Sequence, residues 1–280
     1  MNYNNKPNIF QSMGLAATTS LIAVNFTHPI ETVKIRLQVN KNFNLRNFIH
    51  NEGISSFWKG IQAAWFREIA YTSIKLGGYM PIREALGASD VNSPFFYKFL
   101  AGGISGSLGS LSGNPFDVMK TQMMANSKEN KNVLELSKDI LKNQGINGFY
   151  RGVQANVMRA IVLNGTKMAC YDKFKGMIVD KTGLSRKDVR TQFSSAIFAG
   201  FFMTCTVSPF DMIRTRLMNQ PLEKKIYNGF IDCGTKIAKN EGIKTFYKGF
   251  FPIWGRFAPQ ATLQLIIMDN LLNLYGFKTI

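Results

Sequence analysis

Charge is absent from three long stretches of the chain. From Pro7 to Ile30, from Phe99 to Phe116 and from Thr191 to Phe210 there is no Asp, Glu, Lys or Arg. Each stretch is long enough to cross the hydrocarbon of a bilayer as a helix, which takes about 20 residues. Gly, Ser and Thr recur in all three, a composition suited to helices packed closely on one another. Each stretch ends in a charged motif: Pro29-Ile30-Glu31-Thr32-Val33-Lys34, then Pro115-Phe116-Asp117-Val118-Met119-Lys120, then Pro209-Phe210-Asp211-Met212-Ile213-Arg214. The shared pattern is proline, any residue, acid, two apolar or neutral residues, base.

A second element follows each copy after a loop of variable length. It reads Glu52-Gly53 to Phe57-Trp58-Lys59-Gly60, Gln144-Gly145 to Phe149-Tyr150-Arg151-Gly152, and Glu241-Gly242 to Phe246-Tyr247-Lys248-Gly249. Between the two elements lie short amphipathic segments, Leu45 to Asn51, Val133 to Asn143 and Phe230 to Asn240. Their pattern predicts surface helices along a membrane interface. A further apolar segment comes next, interrupted by one arginine. Arg67, Arg159 and Arg256 each fall seven residues after the closing glycine. An internal repeat at this period decides an architecture. Each unit is odd helix, loop, interfacial helix, turn, even helix. The expected fold is an all-α membrane protein of six transmembrane helices in three tandem repeats, 1–92, 93–186 and 187–280, with both termini on one side.

Composition agrees with this pattern. The 280 residues are 45% hydrophobic and only 18% charged, with a formal net charge of +17. That charge could serve nucleic acid, anionic lipid or an anionic small solute. No sustained basic tract or nucleic-acid-binding signature occurs, so nucleic acid is not expected as a partner. Cys170, Cys205 and Cys233 are odd in number and widely spaced, framing neither a disulfide scaffold nor a zinc site, and read as packing residues. His28 and His50 lack metal-ligand spacing. Residues 1–8 carry neither an apolar signal core nor an Arg-rich transit segment, so any targeting information is expected to be internal. No nucleophile-base constellation or phosphate-cradling loop argues for an enzyme, and no cofactor is expected. The glycines from Gly102 to Gly113 read as close helix packing.

The repeated proline-acid-base motif with its aromatic-base-glycine partner resembles the mitochondrial carrier family over nearly the whole chain. One copy would be read as a kinked helix with an incidental ion pair; three equivalent copies reverse that reading. The resemblance implies a barrel of threefold pseudosymmetry around a cavity that opens alternately to cytosol and matrix in the mitochondrial inner membrane, with both termini facing the intermembrane space. It implies a matrix gate in which Glu31 pairs with Lys120, Asp117 with Arg214 and Asp211 with Lys34. Gln38 is the single brace beneath it, with Met124 and Met218 at the other two brace positions. At the cytoplasmic gate the family pattern is thinner. Tyr171-Asp172 with Lys175 keeps it, Arg83 lacks its acid and Asp269 its base, and only Asp269 with Arg83 survives as a pair. The cytoplasmic side is therefore expected to open more readily.

An arginine inside a spanning helix costs at least about 2.5 kcal/mol on insertion scales, so it faces a wet cavity or a partner. By symmetry Arg67, Arg159 and Arg256 form a ring near mid-membrane, and guanidinium forks match carboxylate or phosphate oxygens. Structural pairing and snorkelling are the competing readings. In the family the substrate contact points fall at these positions. Arg159-Ala160, Arg67-Glu68 with Tyr71, and Arg256 followed by Pro259 resemble the oxoglutarate, dicarboxylate and uncoupling group. Lys75 and Lys167, eight residues past their arginines, are expected as further cavity cations, with Gln264 at the third equivalent place and Glu68 pairing with one of these lysines. The implied function is exchange of small anions, such as dicarboxylates, oxo acids or phosphate-like anions. Proton-linked uncoupling is the alternative, although a base stands at Lys167 where uncoupling proteins carry an acid. Cardiolipin is the implied lipid at the aromatic-base-glycine turns, ordinary interfacial anchoring being the other reading. The chain is expected to act as a monomer.

Overall fold

A computed structural model describes residues 8–40, 43–87, 95–126, 131–183, 189–221 and 225–277, and among them it is all helical. Long, short and long helices follow one another three times: α1 (Ile9–Val39), α2 (Leu45–Glu52), α3 (Ile61–Ala85), α4 (Phe95–Ala125), α5 (Val133–Gln144), α6 (Val153–Thr182), α7 (Val189–Met218), α8 (Phe230–Glu241) and α9 (Phe250–Leu274). A 3₁₀ turn joins each short helix to the long helix that follows it, at Ile54–Trp58, Ile146–Tyr150 and Ile243–Tyr247. The short helices end within one residue of the limits expected from amphipathicity. Each stops at a glycine of positive φ, Gly53, Gly145 and Gly242, while their apolar faces bury Phe48, Leu136 with Ile140, and Cys233 with Ile237. Cys233 is thus a packing residue, as the sequence suggests, and burial pushes its thiol up to about 12. Cys205 is half-buried, and the side chain of Cys170 lies outside the described residues.

The odd helices run through their motif prolines. A proline has no N–H to give the carbonyl one turn earlier. In α1 that carbonyl belongs to Asn25, and the indole Nε1 of Trp58 donates to it at 3.0 Å. The residue before the proline ties the odd helix to the 3₁₀ turn in the same way: His28 Nε2 donates to the Lys59 carbonyl at 3.0 Å, and Asn114 Nδ2 to that of Phe149 at 2.8 Å. His28 is fully buried here, as a structural donor.

The three repeats lock into a closed ring through their turn glycines. Gly60, Gly152 and Gly249 sit at φ of +79°, +69° and +85° and open α3, α6 and α9. Each lies against the odd helix of the next repeat. A Cβ on Gly60 would meet the Lys120 carbonyl at 3.3 Å, one on Gly152 the Arg214 carbonyl at 3.4 Å, and one on Gly249 the Lys34 carbonyl at 3.6 Å. Gly152→Ala adds left-handed strain to a crowded backbone contact, and we expect it to destabilise the fold by about 1–3 kcal/mol. Thermal unfolding of the detergent-purified variant measures this; a wild-type midpoint would refute the seat.

The glycine-rich part of α4 packs as expected at two positions. A Cβ on Gly109 would meet the Tyr71 carbonyl at 3.0 Å and one on Gly113 the Cγ of Arg67 at 3.7 Å. Among the described residues a Cβ added to Gly102, Gly103 or Gly106 would meet no neighbouring element within 4 Å. On the helix exteriors large apolar groups are exposed, including Phe26, Phe66, Ile161 and Phe251, while Glu31, Lys34, Asp117, Lys120 and Asp211 are buried. Water-soluble proteins show the reverse. No helix among the described residues is both long and apolar enough to cross a membrane on its own mean hydropathy. The long helices carry their charges toward one another.

Among the described residues an ion pair to the preceding odd helix fastens two of the three short helices. Arg36 meets Glu52 through both terminal nitrogens, at 3.1 and 3.0 Å, and Arg216 meets Glu241 at 3.0 Å. The middle repeat has glutamine at both equivalent places. Gln122 and Gln144 donate across to the third repeat, to the carbonyls of Met218 at 3.2 Å and Pro221 at 3.4 Å.

Candidate functional site

Where α1, α4 and α7 converge, the acid and base of each proline motif stand one turn apart. Each base therefore points at the acid of a neighbouring helix. Lys120 Nζ lies 2.7 Å from Glu31, Arg214 Nη2 lies 2.8 Å from Asp117, and Lys34 Nζ reaches Asp211. All three pairs form as the resemblance implies, and none of these side chains is more than 11% exposed. Gln38 sits directly beneath. Its Nε2 donates to Asp211 at 3.3 Å, and its Oε1 accepts from Thr215 Oγ1 at 2.7 Å. Met124 and Met218 are fully buried.

The arginines of the even helices come down onto the same acids. Arg159 Nε binds Asp211 Oδ1 at 2.9 Å, Arg67 Nε lies 3.5 Å from Asp117 Oδ1, and Arg256 Nη1 lies 3.3 Å from Glu31 Oε2. Every acid of the ring is thus shared by a base below and an arginine from an even helix. The arginines keep 16–24% of their side-chain surface exposed, more than the acids they hold. Such an arrangement can bind an anion on its open face and feel the binding in the ring. Neutralisation by two partners is also what lets a carboxylate stay ionised away from water.

The first repeat departs from this symmetry. Glu68, next in sequence to Arg67, pairs with Arg67 Nη1. The sequence suggested Lys75 or Lys167 as its partner. Among the described residues its partner is the adjacent arginine, and Lys75 lies beside the ring of Tyr71, with Nζ 5.3 Å from its centroid; the side chain of Lys167 lies outside the described residues. The Arg67 guanidinium covers the same ring at 4.5 Å.

Other expected site residues fall as follows. Ala160 on α6 and Gln264 on α9 are half-buried, and Lys75 is exposed. The side chains of Lys167, Asp172 and Lys175 lie outside the described residues. Arg83 on α3 and Asp269 on α9 are half-buried toward the C-terminal ends of their helices. Sequence reasoning missed Asn156, whose Nδ2 lies 3.3 Å from Asp117 and 3.4 Å from the Asn114 side chain. It stands one turn before Arg159. The matching places in the other repeats hold Ala64 and Ile253, so a search for threefold signals passes over it.

A family model for mitochondrial carrier proteins matches residues 5–90, 91–182 and 185–279, three copies that together cover almost the whole chain. The chain belongs to the mitochondrial carrier family. Members of this family are transporters and not enzymes, and they lie in the mitochondrial inner membrane. Among curated proteins, the carrier is 30% identical to a probable mitochondrial 2-oxoglutarate/malate carrier protein of Dictyostelium discoideum, over 93% of this chain and 88% of that one. It is 28% identical to a mitochondrial dicarboxylate carrier of Caenorhabditis elegans, over 90% and 89%. It is also 29% identical to mitochondrial uncoupling protein 3 of Arabidopsis thaliana, over 95% and 94%.

Proposed function

We propose that this carrier exchanges small dianions, dicarboxylates or oxo acids, by alternating access. The observation that carries this reading is the placement of Arg67, Arg159 and Arg256, each on one acid of the ring. In this reading the arginines are the substrate site, with Lys75, Lys167, Ala160 and Gln264 around it. The ring of Glu31, Lys34, Asp117, Lys120, Asp211 and Arg214, braced by Gln38, is the matrix gate. Arg83, Asp172, Lys175 and Asp269 form a weaker cytoplasmic gate. An entering carboxylate competes with the ring acids for guanidinium hydrogen bonds, so binding loosens the gate it must pass. Similarity to the oxoglutarate/malate and dicarboxylate carriers supports the substrate class.

Similarity to uncoupling protein 3 supports a second reading, proton or anion conductance without a counter-substrate. Exchange in proteoliposomes separates the two. We expect internal malate, succinate or oxoglutarate to accelerate uptake of the same labelled anions. Proton leak without such exchange would replace the first reading with the second, and a folded carrier doing neither would overturn both.

The termini face the intermembrane space in this proposal, and the carrier acts as a monomer. Cardiolipin is the proposed lipid at the aromatic-base-glycine turns. Support comes from a cavity of about 480 Å³ between the Tyr150–Gly152 turn and the start of α8, lined also by Lys225. A helix N-terminus beside a lysine suits a phosphate headgroup.

A further inference from the structure

Charge at the arginine level does not follow the threefold pattern of the fold. The three acids and three bases of the ring pair one to one and cancel. Above them Arg67, Arg159 and Arg256 add three positive charges. In the second and third repeats the arginine is followed by Ala160 and Phe257, and in the first by Glu68. Glu68 is bound to Arg67 with its side chain only 13% exposed, so its negative charge sits within the site. The balance left at this level is two positive charges. Lys75 and Lys167 stand two helical turns further along α3 and α6, about 12 Å from that level.

The same contact makes the three forks unequal. Arg67 gives Nη1 to Glu68, pairs through Nε with Asp117 at 3.5 Å, and sits over the ring of Tyr71. Arg159 is held to Asp211 through Nε, so that both of its terminal nitrogens lie outside that pair. Resting on the exchange reading above, we propose that Glu68 sets the valence of the cargo. It occupies Arg67 from within the protein and leaves a site whose charge matches a dianion carried chiefly by Arg159 and Arg256. A trianion brings one charge too many and meets a carboxylate where its third acid group needs a cation. Like charges placed together in a poorly solvated site are strongly unfavourable.

Exchange in proteoliposomes near neutral pH tests this, with succinate as the dianion and tricarballylate as the trianion. The quantity read is the ratio of the concentrations that half-inhibit uptake of labelled succinate. In the wild-type carrier we expect succinate to be favoured. Glu68→Gln should move the ratio toward tricarballylate by tenfold or more, and Glu68→Asp should keep the wild-type ratio. An unchanged ratio in an active Glu68→Gln carrier overturns the role of Glu68. So does an equal loss with both anions in Glu68→Gln and Glu68→Asp, which marks a purely structural group. Where a variant transports too slowly to measure, the thermal shift produced by each anion supplies the ratio. Absence of any anion exchange in the wild-type carrier would instead sink the exchange reading itself.

Discussion

Replacing Arg159 with alanine should reduce anion exchange by at least about a hundredfold while the carrier stays folded. Its Nε is the only nitrogen spent on Asp211, so the two terminal nitrogens can form a fork on a carboxylate. Each charge-assisted hydrogen bond contributes about 1.5–3 kcal/mol, and about 1.4 kcal/mol is a factor of ten. Asp211 would remain held by Lys34 and Gln38, so stability should change far less than transport. Arg159→Lys keeps the charge without the planar fork and should fall between the two. Uptake at the wild-type rate in a folded Arg159→Ala carrier would remove Arg159 from the substrate site.

Asp211→Asn should be the most destabilising single change in the ring. Its carboxylate takes Lys34 and Gln38 on one oxygen and Arg159 on the other, with Arg214 at 3.9 Å. Removing its charge leaves buried cations unmatched, and breaking a buried pair from one side costs about 3–5 kcal/mol. Glu31→Gln should cost less, because Glu31 has two cationic partners and more access to solvent. Thermal unfolding followed by a thiol-reactive dye measures both, since Cys233 is buried until the fold opens. Equal midpoints for Asp211→Asn and the wild type would show that the ring adds nothing to the stability of this state.

Much of this was legible because the repeat supplies its own controls. Amphipathicity between the motifs located the short helices to within a residue, and the family resemblance carried by the proline motifs implied all three ring pairs. What spacing did not reveal was that the arginines share those acids. A motif assigns each acid one base, but a carboxylate has two oxygens. In Asp211 and Asp117 the second oxygen takes the arginine of an even helix. The contact of Arg256 with Glu31 joins the last repeat to the first, a relation that only closure of the ring creates. Asn156 escaped, and the Arg67 contact of Glu68 with it, for the opposite reason. Each belongs to one repeat alone, and a reading tuned to threefold recurrence gives such residues no weight. For Glu68 the sequence pointed to Lys75 or Lys167, and the structure adds the arginine next in sequence as a partner.

The seating of each turn glycine on the following odd helix has a consequence for how the carrier is made. Two of the three seats join neighbouring repeats and can form as the chain emerges. The third, Gly249 on Lys34, requires the last repeat to find the first. The same closure brings Thr19 to Met268, 249 residues away in sequence. Contacts of such long range form late, after the loop entropy they demand has been overcome. A chain stopped after its second repeat would therefore present an open edge, with Lys34 unmatched by Asp211 and the groove beside it unfilled. Arrival of the third repeat completes the charge balance of the first, so assembly of the barrel is all-or-none at its last step.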